Sequence, residues 1–431
     1  MASLLRPLRH RDFRLLWLGT AISHTGDWMD TVALAWLVLA IAGTPLALGW
    51  LALSRGVPIV LFTLVGGAVA DRVDRRRLVL VTQSVSMALA AGLGLLALGD
   101  LPPLLPVLAI AAARGVCNSF NIPARQALVP GLVPRDALAA AVALNSATFN
   151  VTRAVGPAVG GLVVAAVGPG WAFLTNAATF VAAIWFVLAM SPETGRGAPR
   201  TAPAGLLAEI GDGIRTVART PALRAPLALV TLPMILGQPY IALLAVVARD
   251  VLAAGPSGYG FLVAASAIGS IAGAAHVGTS RPRTWRAWHV GAVVAHGLAL
   301  AVFALSTAYP LSLALVVLVG ATSTAAISTA VTRLQEAADD AMRGRVMSLF
   351  FLNRGLVPLG TMLGSTLAAA AGVRVALVLM GTAMAALALP VRAAAEGKVR
   401  ERGEARDDGG GSVGLGVGGG PPTPEAPGNE G

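Results

Sequence analysis

Six ionisable side chains stand inside otherwise apolar stretches of this 431-residue sequence, where charge is expensive to keep and points to a task. Asp27 and Asp30, in "GDWMD", are three residues apart and share one face of a helix. Two carboxylates held that close in a medium of low dielectric resist ionising together, so one of them is suited to carrying a proton. The plainer reading makes each a structural acid neutralised by a nearby arginine. Arg55, Arg114, Arg153 and Arg354 are the basic counterparts. Each can neutralise an acid or grip an anionic group through its planar, two-pronged guanidinium, and each can equally serve structure alone.

Little other chemistry is on offer. His24, His276 and His296 are scattered and lack the paired acids or cysteines of a metal site, so they read as packing or cavity residues. Cys117, the single cysteine, can form neither an internal disulfide nor a metal cluster. Trp17, Trp28 and Trp36 read as packing or interfacial anchors rather than an aromatic cage. The sole lysine, Lys398 in "AAAEGKV", has neither the leading glycine nor the following hydroxyl of a nucleotide-binding loop. No nucleophile with its base and no H-E-x-x-H appears. The expectation is no enzyme, no cofactor and no ATP-driven pump.

The elements that hold these charges are membrane helices. The chain is 56% hydrophobic and 12% charged, about half the charge of a soluble protein, with a mean hydropathy of +0.74. Twelve apolar segments are long enough to cross a bilayer: 13–41, 45–70, 78–98, 104–124, 137–167, 171–190, 225–247, 258–279, 287–307, 310–333, 346–370 and 374–395. They are continuously apolar rather than alternating, which selects helices over a barrel. The first is too long for a removable signal peptide and stays as an anchor. With the spans numbered alternately, 26 of the 32 basic residues fall on the side of the termini, and only Arg249 and Arg374 on the other. The net charge of +11 therefore sets orientation, with both termini cytoplasmic in a cell membrane, and implies no nucleic-acid partner.

One long polar interruption divides the spans into six and six. The expected organisation is an all-α integral membrane protein: a bundle over 1–192, a linker over 193–224, a second bundle over 225–395 and a disordered tail over 396–431. Within the linker, Leu206, Leu207, Ile210, Ile214 and Val217 recur at helical spacing, which fits a helix on the membrane surface or a solvated connection. "GPAVGG" at 156–161 and "GTMLGS" at 360–365 form a faint repeat, and repeated halves are how many secondary transporters are built. Gly156 with Gly160, Gly269 with Gly273, and Gly360 with Gly364 are small-residue pairs that let helices pack closely.

Between the second and third spans, "DRVDRRR" at 71–77 must be a turn outside the bilayer. With the glycine before it, the string reads Gly67, Asp71, Arg72, Arg75 and Arg76 in G-x-x-x-D-R-x-x-R-R spacing. This resembles the loop between helices 2 and 3 of the Major Facilitator Superfamily, with Asp74 where that family has glycine. The segments "FRLLWLGTAISHTGDWMDTVALAWLVLAIAGTPLALG", "NIPARQALVPGLVPRDALAAAVALNS" and "GPAVGGLVVAAVGPGWAFLTNAATF" resemble its drug and siderophore exporters, over roughly residues 8–395. Gly156, Pro157, Gly160 and Gly161 resemble part of the antiporter motif of helix 5, with Thr152 in place of an upstream glycine.

The resemblance implies two pseudo-symmetric six-helix bundles whose contact is lined by helices 2, 5, 8 and 11. It implies that Gly67 lets two helices approach, and that Asp71 latches a cytoplasmic gate with the end of helix 11 and nearby arginines. It favours Asp27 as the proton or cationic-substrate site, and aligns Arg114 with a helix 4 arginine linked to proton transfer. The function expected is a monomeric, proton-coupled exporter of small amphipathic molecules, working by alternating access in the lipid bilayer. A proton-linked nutrient importer and a non-transporting sensor or structural protein are the alternatives.

Overall fold

Helix after helix carries the chain in the computed structural model, which describes residues 4–191, 221–280, 285–337, 350 and 353–407. The first six are α1 (Arg11–Ala42), α2 (Leu46–Arg72), α3 (Arg75–Leu96), α4 (Leu104–Leu128), α5 (Leu138–Val167) and α6 (Pro169–Leu188). Next, α7 is assembled from Pro221–Leu232, Pro233–Gly237, Tyr240–Val246 and Val247–Val251, of which the second and fourth are π turns. Then come α8 (Gly255–Thr279), α9 (Trp285–Leu305), α10 (Tyr309–Ala337), α11 (Val357–Ala371) and α12 (Val373–Asp407). Eleven are long and apolar enough to cross a membrane, and α11 is a shorter apolar helix. The start of the span expected at 346–370 lies mostly outside the described residues, as do the expected linker helix and residues 408–431. The tail expected from 396 begins as helix, because α12 runs on to Asp407 through a stretch rich in helix formers.

The two halves repeat each other. As α2 packs on α4, so α8 packs on α10; α3 on α6 is matched by α9 on α12, and α1 on α5 by α7 on α11. The 204-residue offset read from "GPAVGG" and "GTMLGS" also relates Gly168 to Gly372. Both have positive φ, +89° and +87°, and both make the turn into the last helix of their half. A side chain is rarely tolerated there.

Lipid offers helices no hydrophobic reason to associate, so close backbone approach at small residues carries much of the packing. The small-residue pairs do this inside each half rather than between halves. A Cβ at Gly156 would meet Trp28 Cβ at 2.5 Å, and one at Gly160 would meet Met29 Cα at 2.7 Å, both on α1. Gly269 and Gly273 abut Val317 and Ala321 of α10, and Gly360 abuts Ile235 of α7. The seam between halves is made by α5 with α8 and α2 with α11. Gly161 and Gly260 meet backbone to backbone, a Cβ on either lying 3.0 Å from the other's Cα. Gly49 and Gly56 bring α2 against Met362 and Pro358 of α11.

These crossings all lie in the half of the molecule away from the end where α1 begins, here called the distal half. The largest apolar cluster lies there too and mixes both halves, with Val38 and Leu48 packed alongside Val247, Tyr259 and Leu262. At the opposite, terminal end the clusters stay separate. Phe13, Leu16, Val79 and Leu128 form one in the first half, while Leu223, Val230 and Leu334, and Val293, Ala326 and Met384, form two in the second. Among the described residues, the halves are thus joined distally and parted at the terminal end.

Candidate functional site

Asp27 and Asp30 sit midway along α1, and the helix turns both toward α4. There Arg114 divides its guanidinium between them. Its Nη2 donates to Asp27 Oδ1 at 3.0 Å, and its Nη1 donates to Asp30 Oδ1. The two acids differ in access: the Asp30 side chain is fully buried, whereas that of Asp27 is 37% exposed although it lies at mid-span. A carboxylate in the middle of a helical bundle keeps that exposure only beside a water-accessible cavity. Asp30 is therefore the anchor of Arg114, and Asp27 is the member of the trio that water can reach.

The neighbouring helix is brought in by a glycine. A Cβ at Gly115 would lie 2.6 Å from the Arg55 carbonyl oxygen, so α2 and α4 touch at the level of Arg114. Arg55 feels the charges of Arg114, Asp30 and Asp27, and its field reaches Tyr259 of the second half. Arg125, one turn from the end of α4, contacts His24 Nε2 and lies in the field of Asp27. By sequence, Arg125 is one of the basic residues on the side of the termini and His24 is a packing or cavity residue. Their pairing gives no sequence signal, because it joins residues on different helices.

Arg153 on α5 extends over the Trp28 ring, 6.0 Å from its centroid, a cation–π distance. Trp28 in turn meets Phe149 edge-on at 6.1 Å. Arg354, just before α11, lies within the field of Arg153 from across the seam, and that field also reaches Tyr240 in the same half as Arg354. All six residues singled out in the apolar spans thus come to one central region, but not as one ion-pair network. Asp27, Asp30 and Arg114 are joined directly, while Arg55, Arg153 and Arg354 surround them without a carboxylate partner among the described ion pairs.

The charged turn is a capping device. Asp74, where the resemblance calls for glycine, accepts from Arg77 N at 3.0 Å and caps the start of α3. Arg75 Nη1 donates to Ala127 O at 3.1 Å near the end of α4, and Arg76 donates to Val187 O and Leu188 O at 3.0 and 2.9 Å at the end of α6. Helix ends leave such carbonyls without partners, and cations suit them. Asp71 reaches Arg75 at 3.7 Å, and Arg72 is exposed. The start of the eleventh span, the other expected partner of Asp71, lies mostly outside the described residues. Among the described residues, nothing lies within 4 Å of a Cβ at Gly67. Gly66 next to it abuts α4 within the first half, against the Ser119 carbonyl carbon at 2.8 Å. Gly156 and Gly160 of the helix 5 motif seat α1, Gly161 forms the seam, and the Pro157 carbonyl lies against Gly260.

At the distal end a second arginine device joins the halves. Arg249 of α7 donates to Leu39 O at 3.0 Å and to Gly43 O at 3.4 Å, at the end of α1, while Asp250 holds its Nε at 2.6 Å. Gly43 has φ +66° and itself donates to Leu39 O at 3.0 Å, so the end of α1 is closed from both sides.

Comparison with known proteins gives the same architecture. The staphyloferrin A transporter of Staphylococcus aureus is 26% identical over 81% of this chain and 87% of its own length. The multidrug efflux pump Tap of Mycolicibacterium fortuitum is 29% identical over 83% and 89%. Among solved structures, a bacterial homologue of the human lysosomal transporter Spinster, inward-facing and unoccupied, superposes with a TM-score of 0.70 at 15% identity, over 89% of this chain and 97% of the other. The transmembrane secretion effector family matches residues 2–407, the twelve-helix body with its central charged region, and the chain belongs to that family of Major Facilitator transporters.

Proposed function

We propose that this protein exports small amphipathic molecules from the cytoplasm in exchange for protons, as a monomer, by alternating access between its two halves. The observation that carries the coupling is the unequal exposure of the two acids on Arg114. Protonating water-accessible Asp27 releases one arm of Arg114 while buried Asp30 retains the other, so the site has two charge states without losing its anchor. Each charge moved across 100 mV is worth about 2.3 kcal/mol, enough to bias a two-state machine. The distribution of basic residues supports a cytoplasmic terminal end, which makes the parted end the cytoplasmic mouth. Asp71 then serves as a gate residue, waiting in this state on Arg75. The export direction is supported by the efflux pump among the relatives.

The test is transport by purified protein in liposomes under an imposed pH gradient, with ethidium and carboxyfluorescein as probes, comparing wild type with Asp27→Asn. Gradient-dependent flux that the variant loses is the expected result; equal gradient dependence in both removes Asp27 from the mechanism. Intracellular accumulation of a compound panel in a deletion strain gives direction. Accumulation there means export, and depletion means import.

A further inference from the structure

The charges of the central region do not balance. Within the described spans, Asp27 and Asp30 are the acids at mid-membrane depth, and Arg114 engages both. Arg55, Arg125, Arg153 and Arg354 bring four more guanidiniums to the same region. Arg125 leans on a histidine and Arg153 on an indole, neither of which cancels charge. Cations gathered at mid-membrane depth without counter-charge are costly. Arg153 and Arg354 are such a pair: they come from opposite halves, Arg354 lies in the field of Arg153 with its own side chain exposed, and neither has an ion-pair partner among the described residues.

We propose that the cargo is an organic anion, a carboxylate- or phosphate-bearing amphipath, whose charged group bridges Arg153 and Arg354 while its apolar part lies along Trp28 and Phe149. This rests on the transport reading and names its substrate class. The guanidinium forks suit two-oxygen anions, and the edge-on Trp28–Phe149 pair supplies an apolar wall beside Arg153. The arrangement also links binding to movement. Empty, the two arginines repel and favour the parted terminal end; occupied, a shared anion draws α5 and the start of α11 together and favours closure there. Outward movement of an anion is favoured by an inside-negative potential. A cation meets the opposite field at each of these steps.

The test is binding to the full-length protein in detergent, by calorimetry and by Trp fluorescence, with carboxyfluorescein and citrate as anions and ethidium as the cation. Expected are salt-sensitive anion binding, weakened on the order of tenfold by Arg153→Gln or Arg354→Gln, and ethidium binding that is weaker and not reduced by either change. Arg153→Lys and Arg354→Lys keep the charge, separate lost contact from lost folding, and retain part of the affinity. Carboxyfluorescein binding unchanged in both Gln variants, absence of binding by both anions, or ethidium binding as tight as carboxyfluorescein overturns the assignment. If ethidium is nevertheless carried with the pH gradient, the exporter reading stands and only the substrate class falls. If carboxyfluorescein binds at these arginines yet no probe is carried, the site stands and the exporter reading falls.

Discussion

Replacing Arg249 by alanine should open the distal seam by a calculable amount. The side chain is 27% exposed and spans the halves through bonds of 3.0 and 3.4 Å to carbonyls at the end of α1. A hydrogen bond from a charged donor contributes about 1.5–3 kcal/mol. The second bond is long and water reaches the group, so about 1–2 kcal/mol is a fair total. These bonds require the distal end to be closed. Their loss therefore appears almost wholly in the equilibrium between the two access states, a shift of about 5- to 30-fold toward the distally open form. Spin labels at Leu101 and Thr307, exposed positions near the distal ends of the two halves, in a Cys117→Ser background, report that equilibrium as a distance distribution. Growth of the longer-distance population by this factor is expected. An unchanged distribution in folded Arg249→Ala protein would show that the bridge does not hold the seam and refute the reasoning.

Three further outcomes follow from the same geometry. Arg114→Ala leaves two carboxylates without their cation, one fully buried, and should cost about 3–5 kcal/mol in thermal or denaturant melts; Asp27→Ala, whose carboxylate reaches water, should cost far less. Gly161→Leu puts a side chain where a Cβ alone is 3.0 Å from Gly260 Cα, so the distal seam cannot close and the spin-label distance should lengthen. Asp74→Ala removes the cap on α3 and should lower stability by about 1 kcal/mol with transport retained, whereas Asp71→Ala should alter turnover with little effect on melting.

Helix number and the division into halves were legible because bilayer thickness imposes its length on each apolar run, as at 287–307, observed as Trp285–Leu305. The mid-membrane charges were legible for a related reason: Asp27, Asp30 and Arg114 stand out where charge is expensive. Their pairing was not, since which arginine meets which acid depends on helix rotation that periodicity alone does not fix. Gly115 brings α4 onto α2 beside that pairing, yet among 50 glycines it carries no mark of its own. The packing pairs were found, but their partners lie within the halves because a small-xxx-small spacing names a face and not a neighbour. Arg249 looked like an ordinary loop charge until the end of α1 was placed beside it. At Gly67 the expected approach has no partner among the described residues, and the start of the eleventh span lies mostly outside them.

The account depends on the terminal mouth opening and closing about the distal seam. Ala143 on α5 and Gly278 on α8 each lie about five turns, about 27 Å, from the Gly161–Gly260 crossing and continue the faces that meet there. Ala143 is exposed, and a Cβ at Gly278 meets nothing within 4 Å among the described residues. In a Cys117→Ser background, Ala143→Cys with Gly278→Cys should be far apart in the parted state and form a disulfide when the mouth closes. Oxidation that captures this pair should halt transport in liposomes, and reduction should restore it. Undiminished flux through fully crosslinked protein would contradict alternating access by these two halves.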